Sequence, residues 1–344
     1  MKKKILIPIY TGLGDCVFIL PVIESLKVIY PNCEIDVVGD NKSGGNELFI
    51  FDGRVSNVYN SLPNKKYDIL LNFIFGGISL KKLLIFKLKN LSTKIIAHRF
   101  IKNDIADKII FKILFKSTLF FSLVEYNITK HVIYNNLSLL KYLNINENDW
   151  EFDPLMDDDL KIKAQEQFVK YNLKSKRYIV IQVGAAMNAL TPKKWPIEYW
   201  IELIGYLKDE QIILVGSKNE IEYTNQIKAQ NVINLCGKSD IISLIGILSE
   251  AKCFIGVDSG IDKLVSLLDT PAICLWGPFN LRFYLDTPNK YLVSKYKKCS
   301  PCTGLDLLTE KDAFYACKFK LSCMNDIKPI DVYNIYQQNI SIRQ

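Results

Sequence analysis

Three short stretches hold side chains of a kind that could do chemistry. In Gly256-Val-Asp258-Ser259-Gly260-Ile-Asp-Lys263-Leu-Val, an apolar strand ends, turns through Asp258, Ser259 and Gly260, and enters a short amphipathic helix. A helix entered this way points backbone N–H groups and partial positive charge past the strand ends, which suits a phosphate. An ordinary helix cap explains Asp-Ser-Gly equally well. Near the start of the chain, Gly12-Leu13-Gly14-Asp15 sets a carboxylate in a glycine-rich turn, where it either takes a proton or only caps the helix that follows. Lys193-Lys194-Trp195-Pro196, after the strand Tyr178 to Val183, sets two ammoniums just before a Trp-Pro pair.

The elements that would position these residues alternate between strand and helix. Lys4 to Ile9 reads as a strand, Cys16 to Tyr30 as a helix with Pro31 beyond its end, Glu34 to Val38 and Tyr67 to Phe73 as strands, and His131 to Leu143 as a helix. After an acidic, polar stretch at 151–177, the alternation resumes with strands Tyr178 to Val183, Gln211 to Val215, Val232 to Leu235, Cys253 to Val257 and Ala272 to Trp276. Such alternation in both halves predicts an α/β protein of two Rossmann-like, doubly wound domains. We place these at residues 1–160 and 175–328, with a final helix over 329–344.

In order and rough spacing, the glycine-rich turn with its acid, the lysine before Trp-Pro, and Asp-Ser-Gly before a helix resemble glycosyltransferase family 9, the ADP-heptose:lipopolysaccharide heptosyltransferases. The resemblance runs along nearly the whole chain. It implies the GT-B architecture, two domains facing across a cleft, with the last helix packing back on the first domain. It also implies inverting, metal-independent transfer of a heptose from an ADP-sugar to a lipopolysaccharide core or other glycan. In that scheme Asp15 is the general base and Lys193 stabilises the leaving group. Gly12, Gly14, Asp258, Ser259 and Gly260 lie at the donor, Glu220 on its ribose with Glu222 in reserve, and Gly237-Lys238 nearby. Lys263 stands where the family usually has His; a lysine there could meet the phosphates as a point charge.

Two other functions stay open on the residues alone. Gly12-x-Gly14, with Asp40 at the end of the second strand, admits an NAD-dependent oxidoreductase, although Val17 occupies the place of the third glycine. A non-catalytic scaffold of the same fold is favoured only by Lys263. With His98 and His131 the only histidines, neither a His-rich metal site nor a Ser-His-Asp triad is credible, and His131 reads as a structural or acceptor-side residue.

The 344 residues carry a net charge of +8, which falls entirely within residues 76–120: ten basic side chains against two acidic, 10 − 2 = +8. Lysines interleaved with Ile, Leu and Phe there suit anionic lipid headgroups or an acidic glycolipid, or else form the solvated face of a core helix. Nucleic acid is not indicated, because no recognised binding motif accompanies the charge. Met1-Lys-Lys-Lys and the short apolar run after it read as the first strand rather than a secretion signal, and no apolar run spans a membrane. A cytoplasmic protein, peripheral at the inner face of the membrane, is expected. Cys299, Cys302, Cys317 and Cys323 fall within twenty-five residues and read either as a structural Zn or Fe site or as free thiols; the resemblance includes a protein-modifying branch that binds iron with a similar pattern.

Overall fold

The computed structural model describes residues 2–39, 45–99, 121–144, 158–184, 193–302, 317 and 319–341. The chain divides into two compact units, Met1–Asp153 and Pro154–Gln344. Each is built on one six-stranded sheet, and every strand pair is parallel.

In the first unit the strands are β1 (Lys4–Pro8), β2 (Glu34–Val38), β3 (Asn57–Tyr59), β4 (Ile69–Asn72), β5 (Lys94–Arg99) and β6 (Phe121–Glu125), in the order β3-β2-β1-β4-β5-β6. In the second they are β7 (Tyr178–Gln182), β8 (Gln211–Leu214), β9 (Val232–Asn234), β10 (Cys253–Val257), β11 (Ala272–Trp276) and β12 (Lys290–Ser294), in the order β12-β11-β10-β7-β8-β9. Both are doubly wound sheets whose order reverses beside the first strand, between β1 and β4 and between β7 and β10. Ligands bind past the carboxyl ends of such sheets at the reversal. The central strands are buried on both faces and are accordingly continuous runs of Ile, Leu and Val, as in Tyr178-Ile-Val-Ile-Gln182.

The helix expected from Cys16 to Tyr30 is two helices, Leu13–Val17 and Leu20–Ile29, because Pro21 has no N–H to continue the first and instead opens the second. The helix expected from His131 is α-helical over Val132–Ser138 and tightens to a 3₁₀ turn over Leu139–Leu143, with His131 Nδ1 accepting from the Ile133 N–H at 3.2 Å. In the second unit, helix Ile241–Ser249 is buried from Ile241 to Leu248 and lies against helix Asp158–Phe168. A Cβ on Gly246 would stand 2.2 Å from the Ala164 carbonyl oxygen, so glycine sets how closely these helices approach. Helix Asp158–Phe168 therefore belongs to the second unit's core. The last helix, Pro329–Asn339, for which packing on the first domain was expected, buries Val332 and Tyr336 in the second unit's core cluster, against helix Ile197–Tyr206.

The basic region mixes two kinds of structure. Within it β5 is a central strand, and helix Leu80–Lys89 buries Leu83 and Phe86 while leaving Ile85 and Leu88 exposed. Lys87 is buried and its ammonium closes the end of that helix, donating to Leu91 O at 2.8 Å and Thr93 O at 2.6 Å. Lys102, Lys108, Lys112 and Lys116 lie outside the described residues, as does Asp40.

Candidate functional site

The second unit gathers several of the expected residues at its strand-order reversal. Gly256 of β10 pairs with Gln182 of β7, so Asp258 and Ser259 leave the sheet beside the end of β7. Ser259 Oγ donates to Gln182 Oε1 at 2.5 Å across the reversal and accepts from the Asp262 N–H at 3.1 Å, capping the six-residue helix Gly260–Val265.

Lys193 reaches the same place from the segment after β7. It is held by Trp195, fully buried, whose Nε1–H donates to Ile327 O at 3.0 Å and whose ring meets Trp200 edge-on at 4.6 Å between centroids. Tyr223 OH donates to Trp195 O at 2.9 Å, and Pro196 starts helix Ile197–Tyr206. With Trp195 anchored two residues on, Lys193 Nζ lies 2.8 Å from Asp258 Oδ2 and 3.9 Å from the Phe279 ring centroid, its side chain 18% exposed. Lys194 turns away and lies over the Tyr223 ring, 4.1 Å from its centroid.

Behind Lys193 runs a chain of buried charges. Lys263 Nζ is 2.5 Å from Asp258 Oδ1 and 2.8 Å from Asp262 Oδ2, and Lys290 Nζ is 2.8 Å from Asp262 Oδ1. Burial alone would raise the pKa of Asp258, but the Lys193 and Lys263 ammoniums bring it below the usual carboxylate range. Burial likewise opposes ionisation of Asp262, and Lys263 and Lys290 reverse it. For Lys263 burial would lower the pKa, and the two aspartates raise it instead. Lys263, expected among the donor contacts, thus has its ammonium committed to two carboxylates and packed over Trp276, 4.5 Å from the ring centroid. Asp262, Lys290 and Gln182 were not anticipated. A lysine normally reads as exposed, and the one signal was three charged residues opening a helix between two wholly apolar strands.

A second group lies past β8 and β9. Glu220 is buried and caps its own turn, Oε2 accepting from Ser217 N at 2.7 Å and Ser217 Oγ at 3.0 Å, while its Oε1 has no hydrogen-bond partner among the described residues. Burial raises its pKa, against the lowering effect of the Ser217 bonds. A Cβ on Gly184 or Gly216 would come within 2.8 Å of this carboxylate. Gly237, at φ +70°, donates its N–H to Gly216 O at 2.9 Å, and Lys238 Nζ donates to Asn234 O at 2.8 Å. Glu222 is exposed.

In the first unit, Gly12 caps helix Leu13–Val17, and Asp15 in its first turn is half-buried and accepts a bond from Thr11 Oγ1. Tyr10 N–H donates to Gly76 O at 2.6 Å, tying the turn to the chain beyond β4 at the reversal. Packing requires glycine at 45, where a Cβ would lie 2.5 Å from Cys16 Sγ. It does not at 12, where a Cβ would have nothing within 4 Å among the described residues. Among those residues Gly12 therefore leaves open space beside the turn that carries Asp15. Val17 is fully buried, so the place of a dinucleotide motif's third glycine is taken by core packing. His98 is ruled out as a base. Its Nδ1 accepts from Ile74 N–H at 3.1 Å, its Nε2 is 2.7 Å from Asn135 O, and burial pushes its pKa down to about 4.

Among the described residues no three His, Cys, Asp or Glu side chains are placed to hold a metal ion, Cys299, Cys302, Cys317 and Cys323 included. Cys323 is buried against Met324 and Gly277, while Cys302 and Cys317 are exposed. Burial, and then the neighbouring thiols, push Cys323 up to about 11. No helix among the described residues is long and apolar enough to cross a membrane.

The model of glycosyltransferase family 9 (heptosyltransferase) matches residues 115–308. Lipooligosaccharide heptosyltransferase 2 of Campylobacter jejuni is 26% identical over 345 residues, covering 95% of each chain. Among solved structures, the Escherichia coli ADP-heptose lipopolysaccharide heptosyltransferase II superposes with a TM-score of 0.67 at 18% identity, over 91% of this chain and 98% of that one. An E. coli heptosyltransferase with ADP gives 0.66 at 17%, over 98% and 99%.

Proposed function

The chain belongs to glycosyltransferase family 9, and from that premise we propose that it moves a heptose from ADP-heptose to a lipopolysaccharide core or related glycan, with inversion and without a catalytic metal. The enzyme class and the GT-B fold follow from the family and its structural neighbours; the NAD-dependent and non-catalytic alternatives have no support beside them. The donor, the acceptor and the roles of the residues are our reading.

In this reaction the acceptor hydroxyl oxygen attacks the anomeric carbon, the bond from that carbon to the diphosphate oxygen breaks, and its electron pair leaves with ADP. The hydroxyl proton goes to Asp15, which needs only an ionised carboxylate in an accessible turn, and the open space at Gly12 supports that access. Lys193, with the backbone amides at Ser259 and Gly260, meets the charge that grows on the departing diphosphate, the task a divalent cation performs elsewhere, while the Asp258 N–H is taken by Leu275 O. The partnerless oxygen of Glu220 supports a bond to the donor ribose, with Gly237 and Lys238 shaping the adjoining turn.

The observation that carries this reading is the placement of Lys193 and Asp258 together at the β7/β10 reversal by a fully buried tryptophan anchor. It is tested by Asp15→Asn. The amide keeps the turn but cannot take a proton, so the variant should bind ADP as the parent does and lose heptose transfer. Equal turnover in variant and parent removes Asp15 as the base.

For the acceptor side, the exposed Ile85, Leu88 and Leu91 lie among Lys81, Lys82 and Lys89 with no acidic residue in the helix. This supports peripheral binding to the anionic inner leaflet of the cytoplasmic membrane, where a glycolipid acceptor would be met.

A further inference from the structure

The five charges Lys193, Asp258, Lys263, Asp262 and Lys290 form one continuous run of ion pairs, each partner 2.5 to 2.8 Å from the next. The side chains of the last four are 6%, 4%, 0% and 1% exposed, against 18% for Lys193. Three ammoniums and two carboxylates give 3 − 2 = +1. The neighbouring Cys274 thiol adds nothing, because burial and then Asp262 keep it protonated. Buried charges so placed cannot be screened by solvent, so the excess acts where the run meets the outside. Only its Lys193 end does so.

We propose that Asp262, Lys263 and Lys290 are positioning residues for the donor: they touch no ligand, but they set the charge that Asp258 leaves to Lys193. Two ammoniums share Asp258, so neither is neutralised by it, and Lys193 retains charge for a diphosphate. Lys263 can share Asp258 in this way because Asp262 holds it from the other side, and Asp262 is held in turn by Lys290, which also donates to Ser266 Oγ at 2.8 Å. The inference rests on the donor reading above and extends it to side chains on β12 and inside helix Gly260–Val265.

The experiment measures ADP affinity, with the melting temperature of each variant alongside. Lys263→Met leaves two cations and two anions, 2 − 2 = 0, and should weaken ADP binding about ten-fold, as expected for one unit charge several ångström from a phosphate in a protein interior. Lys263→Met/Asp262→Asn leaves Lys193 and Lys290 against Asp258, 2 − 1 = +1, and should recover most of that loss. Lys290→Met, again 2 − 2 = 0, should weaken ADP as Lys263→Met does, and it carries the test if Lys263→Met does not fold. A purely structural role gives the opposite pattern, since the double variant disturbs the same packing twice and would bind no better than the single one. That outcome, or single variants that bind like the parent, overturns the proposal while leaving the donor site in place. A parent chain that binds no ADP overturns both.

Discussion

Replacing Lys193 by alanine removes an ammonium that is 18% exposed and 2.8 Å from a buried carboxylate. Asp258 keeps its bond to Lys263, so the fold should survive with a modest loss of melting temperature. A hydrogen bond involving a charged group contributes about 1.5 to 3 kcal/mol. The donor phosphates are charged before reaction and gain charge as the sugar–oxygen bond breaks, so the loss should fall on binding and on the chemical step together. We expect kcat/KM to drop about ten- to a hundred-fold. Lys194→Ala is the control: its ammonium lies on the Tyr223 ring, a contact of about 0.5 to 1 kcal/mol that bears on stability and not on the donor. The assay is ADP release from ADP-heptose with a heptose-free lipopolysaccharide acceptor, with ADP affinity measured separately. Equal losses in the two variants, or a larger one in Lys194→Ala, would refute the assignment.

Glu220 gives a pH signature. Its folded pKa is raised by burial, so the folded chain holds that proton more tightly than the unfolded one. Its contribution to stability is then full at low pH and is lost as pH rises through the raised value. Glu220→Gln keeps an acceptor for Ser217 and cannot ionise, so its melting temperature should gain on the parent's as pH rises above the ordinary carboxylate range; a constant gap contradicts this. Leu88→Asp with Leu91→Asp, at side chains 70% and 69% exposed, should abolish sedimentation with vesicles rich in anionic phospholipid and leave the melting temperature unchanged. Retained binding would move the membrane surface elsewhere.

Strands buried on both faces were the most legible part of the sequence, because such a place calls for a mostly apolar run. Glu34–Val38, Cys253–Val257 and Ala272–Trp276 appear with the ends expected of them. The strands that escaped notice are β3 and β12, at the sheet edges and half-exposed, and β5 and β6, beside or within a lysine-rich stretch whose charge masked a short apolar core. The site divided in the same way. Lys193 was marked by the Trp-Pro that anchors it, whereas its link to Lys290 spans nearly a hundred residues and depends on lysines that fold inward, which residue type alone argues against.

An all-parallel sheet whose order reverses cannot be completed in the order in which it is made. Ile179 of β7 pairs with Cys253 of β10, 253 − 179 = 74 residues later. At a synthesis rate of about 5 to 20 residues per second, one edge of β7 stands open for roughly 4 to 15 s after the strand emerges. During that interval a flat, apolar, unprotected edge is offered to any other nascent chain. The hazard cannot be removed by charging the strand, because Ile179 and Ile181 must later be fully buried. The edge left open during synthesis is therefore the same seam of the sheet at which we propose that the donor binds.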